Sequence, residues 1–339
     1  MGLGSRSTRR MMKIYICAIA KNEEKFVDRF MDSVKDADKV IVCDTGSTDK
    51  TVELLKNRGA EVQDIQVSPF RFDLARNLAL MSCEEADIVI CLDLDEIMLE
   101  GWREKIEKNW KEETTLMRYR MIFDWKDEKQ TEPNITVWGV KIFNPKKYIW
   151  VDPIHENIKL REGEKESVVI LDEHLMIHYP DPKKDRGSRI DLMKQFTKDE
   201  PTHDRASYVL GREYFNQYKY KEAEEELNRY LGLCIPYTDE NRYSRSSACR
   251  MIGNSLIKQD RNINEVVTWF IRSVGENPFQ REPWIYLGWA WASAGDYKMA
   301  LACVNRGLAI TDETQSIIKE EDCWGKKVED LVNEIKKYE

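Results

Sequence analysis

The sequence predicts two domains: an α/β domain on a mainly parallel, doubly wound sheet, followed by an all-α domain of helical repeats. Apolar strand-like runs alternate with helical patterns between residues 13 and 92. After residue 200, glycine and aromatic residues recur at long, similar spacings. The 339 residues also leave room for two domains of ordinary size.

The composition is that of a folded chain with a sizeable core. Apolar residues make up 42% of it and charged residues 34%, which excludes a disordered chain, a collagen-like fibre and a small disulfide scaffold. The net charge of -8 makes the chain a poor non-specific binder of polyanions, because phosphate contacts supply most of that affinity. No apolar run reaches the roughly 20 residues of a membrane span.

The eight cysteines predict a reduced protein. They form no CxxC pair and most lie in apolar segments, as buried thiols do. Residues 1–11 contain basic residues without the apolar segment of a signal peptide, so we interpret them as a disordered leader or tag. We therefore expect a cytoplasmic protein.

The elements of the first domain follow from hydrophobic periodicity. Short apolar runs predict strands at 13–20, 39–43, 61–67 and 87–92, and helical spacing predicts helices at 24–34, 48–58 and 73–82. Thr48 or Asp49 is expected to cap the second helix, and Gly59 to end it. This alternation is typical of a parallel sheet with helices on both faces.

Between residues 116 and 158 the pattern changes to shorter strands punctuated by proline, asparagine and glycine. It predicts antiparallel strands that extend the sheet and form one wall of a cleft. Residues 179–187 predict a loop, as a domain boundary or a mobile lid. Its basic residues Lys183, Lys184 and Arg186, with Arg189, are interpreted either as a solvated surface or as cations that close on a diphosphate.

The second domain is predicted from three glycine-centred units. Gly211 and Gly253 are 42 residues apart, and Gly253 and Gly288 are 35 apart. The third unit, with Trp284 and Ala300, fits the 34-residue tetratricopeptide pattern; the first fits moderately and the second is degenerate. We expect three stacked helix pairs with a capping helix at 322–338, and domains at 12–200 and 201–339.

The strongest chemical feature is the acidic segment that follows the strand at 87–92. Asp93, Asp95 and Glu96 come directly after consecutive apolar residues, and ligands of open parallel sheets bind beyond the carboxyl ends of strands. Two carboxylates in an Asp-x-Asp turn suit a hard divalent cation that also holds phosphate oxygens. A solvated strand-end turn accounts for this segment equally well.

Three weaker features occur beside the other strands. Asp44 opens a turn in which Gly46 permits a tight backbone before a helix N-terminus. Asn22 and Glu23 follow the first strand, and Arg76 lies on the third helix. Each has an ordinary structural explanation as a cap or a surface ion pair; their recurrence at successive strand ends indicates a shared site.

Together these motifs resemble the family-2 glycosyltransferases of the GT-A fold, which is Rossmann-like. The resemblance rests on AIAKNEE, DTGSTDKT, FDLARNLAL and CLDLDE, in that order between residue 13 and about residue 100. PIHENI, IHY and the repeats resemble a sub-group with a C-terminal tetratricopeptide region.

The resemblance implies a nucleotide-sugar donor, usually a UDP-sugar, and a Mn2+ or Mg2+ ion. It implies that Asp95 is the principal metal ligand, with Asp93 near metal and ribose, and that His178 is a further candidate ligand. The implied donor-binding residues are Ala18, Ala20, Asn22, Glu23, Asp44, Arg76 and Asp93. We add Gly46, Leu94, Arg186 and Arg189 as further donor-binding candidates. Since the family inverts the anomeric centre, a carboxylate should act as base; Glu156 is the first candidate, with Asp152 and Asp124 behind it.

Other readings stay open at this stage. The acceptor is expected to be a protein or peptide, or a saccharide, and the repeats are expected to bind it, to form a homodimer or to brace the first domain. Alternatives are a catalytically inactive scaffold that binds nucleotide, and a transferase that glycosylates modified DNA, although the net charge disfavours a large nucleic-acid footprint. A nucleotidyltransferase is disfavoured because no glycine-rich loop follows the first strand.

Overall fold

The structure is a computed structural model that describes residues 12–125, 127, 129, 131, 133–181, 187–234, 238, 241–311 and 320–338. It divides into two compact units, Met1–Lys184 and Asp185–Glu339. The predicted boundary at residue 200 therefore falls one helix later than the division between the units. The predicted leader, together with Lys183, Lys184 and Arg186, lies outside the described residues, as does the side chain of Arg189.

The first unit alternates strands and helices and then becomes strand-rich. Its strands are β1 (Ile14–Ala20), β2 (Lys39–Asp44), β3 (Glu61–Asp64), β4 (Ile88–Leu92), β5 (Glu96–Met98), β6 (Leu116–Trp125), β7 (Pro133–Phe143), β8 (Tyr148–Val151), β9 (Asn157–Leu160) and β10 (Val168–His178). Its helices are a 3-10 turn (Glu24–Phe26), α1 (Val27–Ser33), α2 (Thr51–Asn57), α3 (Phe72–Met81) and α4 (Trp102–Asn109).

Eight of these strands form one sheet in the order β3-β2-β1-β4-β7-β6-β10-β5, and β8 pairs with β9 in a separate hairpin. The pairs β3-β2, β2-β1, β1-β4 and β6-β10 are parallel, whereas β7 is antiparallel to both of its neighbours and β5 is antiparallel to β10. The predicted α/β fold with a mainly parallel sheet is confirmed, and the antiparallel extension predicted after residue 116 is present as β6 and β7.

The central strands are apolar throughout because both faces of the sheet are covered. In β1, Ile14 and Ile16 join the cluster that includes Phe30 of α1, whereas Tyr15 and Cys17 join the cluster on the face of α3. Successive side chains of a strand point to opposite faces, so a continuous apolar run supplies both clusters.

Some local predictions were wrong. The second helix begins at Thr51, not at Thr48, because Asp49 accepts hydrogen bonds from the Thr51 backbone N–H and hydroxyl and forms a separate turn. Gly59 does follow that helix, with a left-handed φ of 89°. Strand β10 and helix α5 (Gly187–Asp199) were not predicted. Strand β10 has no clean alternation of apolar residues, whereas in α5 the helical spacing of Ile190, Met193 and Phe196 was overlooked.

The second unit contains α5 and then paired helices. These are α6 (Asp204–Asn216), α7 (Tyr220–Leu233), α8 (Arg242–Lys258), α9 (Ile263–Glu276), α10 (Arg281–Ser293), α11 (Tyr297–Leu308) and α12 (Lys326–Ile335), with 3-10 turns at Glu321–Cys323 and Lys336–Tyr338. The pairs are α6 with α7, α8 with α9, and α10 with α11. The predicted tetratricopeptide-like organisation is confirmed.

Glycine marks the closest approach within each helix pair. A Cβ atom on Gly288 would lie 2.5 Å from Cγ2 of Val304, and one on Gly253 would lie 2.9 Å from the ring of Phe270. The recurring glycine therefore removes the side chain at the point where the helices touch, and the three pairs repeat one packing contact.

Two further findings concern the chain as a whole. Within the described ranges, no helix is both long and apolar enough to cross a membrane. All eight cysteines are buried and unbridged, as predicted.

Candidate active site

The topology gathers polar residues at one edge of the sheet. Strands β1, β2, β4, β6 and β10 all run in the same direction, because β6 is antiparallel to β7, β7 is antiparallel to β4, and β10 is parallel to β6. Their carboxyl ends therefore share an edge, which is where ligands of open α/β sheets bind. Ala20, Asp44, Leu92 and His178 are the last residues of four of these strands.

Asp44 organises the turn that follows β2. Its Oδ2 atom accepts hydrogen bonds from the backbone N–H groups of Gly46 at 3.0 Å and Ser47 at 2.8 Å, and the Ser47 hydroxyl donates to Oδ1. Gly46 has a left-handed φ of 100°, which glycine adopts without strain. The buried Asp44 carboxylate thus holds its own turn, as in an Asx-type motif.

The loops after β1 and β2 are joined to each other. Asn22 accepts from the Thr48 backbone N–H at 2.7 Å through Oδ1, and its own N–H donates to the Ser47 hydroxyl at 2.9 Å. The Glu23 backbone N–H donates to the Thr51 hydroxyl at 2.7 Å. Asn22 has a left-handed φ of 56°. These hydrogen bonds fix the Lys-Asn-Glu segment at the carboxyl edge of the sheet.

An ion-pair network lies beside the end of β4. Arg76 on α3 donates from Nε to Glu156 at 2.6 Å and from a terminal nitrogen to Asp93 at 2.7 Å, and its side chain is only 6% exposed. Its guanidinium also lies 5.0 Å from the ring centre of Trp150. The Asn77 side chain pairs with the backbone of Trp150 and so holds the β8–β9 hairpin, which carries Glu156, against α3.

Lys141 of β7 binds the other side of the same turn. Its ammonium lies 2.6 and 2.7 Å from the two carboxylate oxygens of Glu96 and 3.2 Å from Oδ2 of Asp93. Glu96 also accepts from the Asp93 backbone N–H at 2.9 Å. Two cations and three carboxylates therefore form one connected network.

The charged groups in this network shift one another's pKa values. Burial alone would raise the pKa of Asp93, but the cations of Arg76 and Lys141 outweigh it and hold that pKa well below its usual range. Burial alone would lower the pKa of Lys141, but Asp93 and Glu96 raise it above its ordinary value. Burial raises the pKa of Glu96, and Lys141 opposes the rise.

Asp95 points to a different partner from Asp93. Oδ2 of Asp95 lies 3.4 Å from Nε2 of His178, and Nδ1 of His178 lies 3.0 Å from the backbone oxygen of Phe123. Burial alone would lower the pKa of His178, but the hydrogen bond and the charge of Asp95 raise it. Asp95 and His178, each a candidate metal ligand from the sequence, thus lie beside each other.

These two residues have the chemistry of metal ligands. An imidazole that bonds a backbone carbonyl through one nitrogen is oriented to offer the other to a metal, and a carboxylate suits Mn2+ or Mg2+. Among the described residues, no cluster of three or more histidine, cysteine or acidic side chains is arranged to hold a metal. The protein offers a pair here, whereas Asp93 is engaged by cations.

The candidate bases occupy different parts of the edge. Glu156 belongs to the network through Arg76, with a side chain 14% exposed. Asp152 has a left-handed φ of 74° and accepts from the Asn157 side chain at 3.4 Å. Asp124 is on β6, one residue after Phe123, whose carbonyl bonds His178.

Other predicted residues contribute backbone rather than side chains. The side chains of Ala18, Ala20 and Leu94 are buried in the apolar core, and the Ala20 carbonyl accepts two hydrogen bonds from Thr45. Lys141 was missed by sequence reasoning. It lies where β7 bulges, since pairing passes from Met117–Ile142 to Tyr119–Gly139. Gly139, an isolated glycine within this strand, is the sequence signal that could have indicated the bulge.

Comparison with known proteins finds one matching family profile and two curated relatives among its matches. Residues 15–168 match the sequence profile described as glycosyl transferase family 2. A TPR repeat-containing protein of Synechococcus elongatus is 35% identical over 96 residues, covering 28% of this chain and 23% of that protein. An uncharacterized glycosyltransferase of Rickettsia typhi is 37% identical over 98 residues, covering 29% and 32%. The matches thus span about a quarter to a third of the length of these relatives.

Solved structures align more weakly. The MamA protein aligns at 19% identity and a TM-score of 0.31, covering 36% of this chain and 61% of that one. Glucosyl-3-phosphoglycerate synthase from Mycobacterium tuberculosis, in complex with Mn2+, UDP and glucosyl-3-phosphoglycerate, aligns at 23% identity and a TM-score of 0.28, covering 33% and 44%. These TM-scores are too low to carry a conclusion to this chain.

Proposed function

We propose that the protein is a metal-dependent inverting glycosyltransferase, because residues 15–168 match the sequence profile described as glycosyl transferase family 2. Its donor is a nucleotide sugar, with a UDP-sugar as the first choice, and its acceptor is a protein, a peptide or a saccharide. The helical second unit is then an addition to a catalytic domain that carries the donor site.

The observation that supports this proposal most directly is that two neighbouring carboxylates, Asp93 and Asp95, have different partners. Asp93 faces Arg76 and Lys141, and Asp95 faces His178. One carboxylate is therefore neutralised by fixed cations, while the other has a neutral or cationic imidazole beside it and the character of a metal ligand. A metal position beside a carboxylate that fixed cations hold in place suits a donor diphosphate.

Transfer in this proposal is a single displacement. An acceptor oxygen forms a bond to the anomeric carbon while the bond from that carbon to the phosphate oxygen breaks, and the electron pair leaves with UDP. The acceptor proton passes to a carboxylate, which we assign to Glu156, since this side chain is held by Arg76 next to Asp93. Arg76 bonds Oε1 of Glu156, so Oε2 is the atom assigned to the proton.

Asp95 and His178 would hold Mn2+ or Mg2+, and the donor phosphates and water would supply further ligands, as is usual for these ions. When bound, the ion acts as a Lewis acid that stabilises the charge developing on the leaving diphosphate. The residues of the chain orient that site: Phe123 fixes the imidazole through its carbonyl, and Asn22 and Asp44 fix the neighbouring loops.

The second unit supports a peptide acceptor. A groove of about 220 Å³ is lined by Tyr208 and Arg212 of α6, Tyr243 and Asn254 of α8, and Tyr286 of α10. These aromatic, amide and guanidinium groups suit an extended peptide. Binding of an acceptor peptide, rather than bracing or dimerisation, is thus our first choice for the role of the repeats.

Substitution of Asp95 tests the function. UDP-glucose, UDP-galactose and UDP-N-acetylglucosamine would each be incubated with Mn2+ and the protein. The release of UDP would be measured with water alone and with added acceptors for the sugar. Asp95→Asn is expected to abolish a turnover that the wild type shows. Asp172→Asn is the matched control, because Asp172 is 71% exposed on β10 and pairs only with Arg120 among the contacts described. Wild-type turnover by Asp95→Asn would contradict the proposal.

A further inference from the structure

We propose that Lys141 is a positioning residue that sets the orientation of Asp93 for donor binding. The inference rests on the proposed function, since it concerns the same edge of the sheet. Lys141 lies outside every sequence motif that suggests the activity, and its role follows from its contacts alone.

The location of Lys141 is set by the irregularity in β7. Between the pairs Met117–Ile142 and Tyr119–Gly139, β7 has one residue more than β6. Such a bulge re-aims a side chain relative to a regular strand and often lies beside an active site. Here it directs a lysine to the acidic turn after β4, where its side chain is 22% exposed.

The ammonium of Lys141 is fully engaged by that turn. A lysine has three N–H donors, and Lys141 makes three contacts of 2.6, 2.7 and 3.2 Å, two with Glu96 and one with Asp93. Since these contacts use its donors, Lys141 has none left for a phosphate. It acts on a donor molecule through Asp93 and not by touching it.

Lys141 holds Asp93 in two ways. It contacts Oδ2 of the carboxylate directly, and it holds Glu96, which in turn accepts from the Asp93 backbone N–H. Arg76 binds the other oxygen, Oδ1. With both oxygens and the backbone N–H engaged, the Asp93 side chain has one orientation, while Asp95 is left to His178.

The competing explanation is that the ion pair of Lys141 and Glu96 only stabilises the fold. A double variant that removes both charges distinguishes this explanation from the positioning role. Lys141→Met leaves Glu96, which is 3% exposed, as a buried unpaired charge and is expected to destabilise the first unit. In Glu96→Gln/Lys141→Met the buried charge is gone. The glutamine still offers an oxygen to the Asp93 N–H, but Asp93 has lost the Lys141 contact.

The experiment compares thermal stability, kcat and KM for UDP-glucose hydrolysis with Mn2+ in the full chain. We expect Glu96→Gln/Lys141→Met to recover most of the melting temperature lost in Lys141→Met. Its KM for UDP-glucose should still rise about tenfold, the effect of one lost hydrogen bond between charged groups, with kcat within about twofold. Lys147→Met is the control: Lys147 also pairs with a glutamate, Glu164, but both side chains are about one-third exposed, and its KM should stay unchanged.

The outcomes separate the two proposals. If the double variant is stable and has the wild-type KM, Lys141 only stabilises the fold and the positioning role is wrong. If kcat falls while KM is unchanged, a reduced active fraction explains the result, and the positioning role is again wrong. If the wild type releases no UDP from any donor tested, the proposed function itself fails, and the role of Lys141 in it fails too.

Discussion

Replacing Arg76 by methionine removes the centre of the ion-pair network without removing its aliphatic stem. Arg76 joins Glu156 on the β8–β9 hairpin to Asp93 at the end of β4, through hydrogen bonds of 2.6 and 2.7 Å. The substitution leaves two carboxylates without their shared cation. It therefore acts on the position of the hairpin and on the turn that follows β4.

The size of the effect follows from burial. Breaking a buried ion pair by removing one partner costs about 3–5 kcal/mol, because the remaining charge stays desolvated. The Glu156 side chain is 14% exposed, but that of Asp93 is 38% exposed, so water and Lys141 retain part of its stabilisation. We therefore expect the lower end, about 3 kcal/mol, which is a large share of the roughly 5–15 kcal/mol that stabilises an ordinary domain.

Urea titration read by hydrogen exchange of the peptide 88–98 is the suitable assay, because a whole-chain signal would mix the two units. Arg58→Met is the control. Arg58 also contacts two carboxylates, Asp28 and Asp32, but all three side chains are well exposed, and exposed pairs contribute little. Equal destabilisation by the two variants would refute the claim that burial decides the effect. Arg76→Met/Glu156→Gln should recover part of the loss.

Three further predictions test other parts of the molecule. Glu156→Gln should lower kcat by about 10²–10⁴, measured as UDP release; a fall of that size in Asp124→Asn with Glu156→Gln unaffected would move the base to Asp124. Gly253→Ala should destabilise the second unit by about 1–3 kcal/mol, because its Cβ would meet Phe270. Gly275→Ala, in open space on the partner helix, should instead stabilise the unit by about 0.5 kcal/mol. If the urea midpoints of both variants shift in the same direction, the packing argument is wrong. Burial would raise the pKa of Asp49, but hydrogen bonds from Thr51 and Glu24 lower it. Its contribution to stability is therefore present above the unfolded pKa of about 4 and is lost as the pH falls through the lower folded value. The loss in free energy of unfolding caused by Asp49→Asn should therefore shrink below about pH 4. A loss that stays constant with pH would contradict the lowered pKa of Asp49.

The parts of the fold that sequence reasoning predicted are those in which one local signal dominates. Strands β1, β2 and β4 read as apolar because both of their faces are buried, and the three glycines of the second unit mark contacts that tolerate no side chain. Strand β10 escaped prediction because it carries Asp172, Glu173 and His174 in its middle. There its pairing with β6 is irregular, so no alternating period exists.

The site shows the same limit. Asp44, Asp93 and Asp95 stand at strand ends, and strand ends can be located from apolar runs. Their partners cannot, because Lys141 reaches the turn through a bulge and Glu156 through a hairpin docked on α3 by Asn77. The Asp93 contact with Lys141 joins residues 48 positions apart, and the Arg76 contact with Glu156 joins residues 80 apart. Motif spacing carries no information about such pairs.

A tight turn explains why Asp93 and Asp95, two positions apart, have separate partners. The Glu96 N–H donates to the Asp93 carbonyl at 2.9 Å, so the two ends of the turn lie close together and both side chains contact Lys141 of β7. Asp95 lies within the turn, where its carbonyl accepts from the Tyr179 N–H directly after β10 and its side chain lies beside His178. Leu94, the other residue within the turn, is buried in the core and anchors it. The turn therefore directs one carboxylate to fixed cations and leaves the other beside an imidazole, where it is suited to a metal.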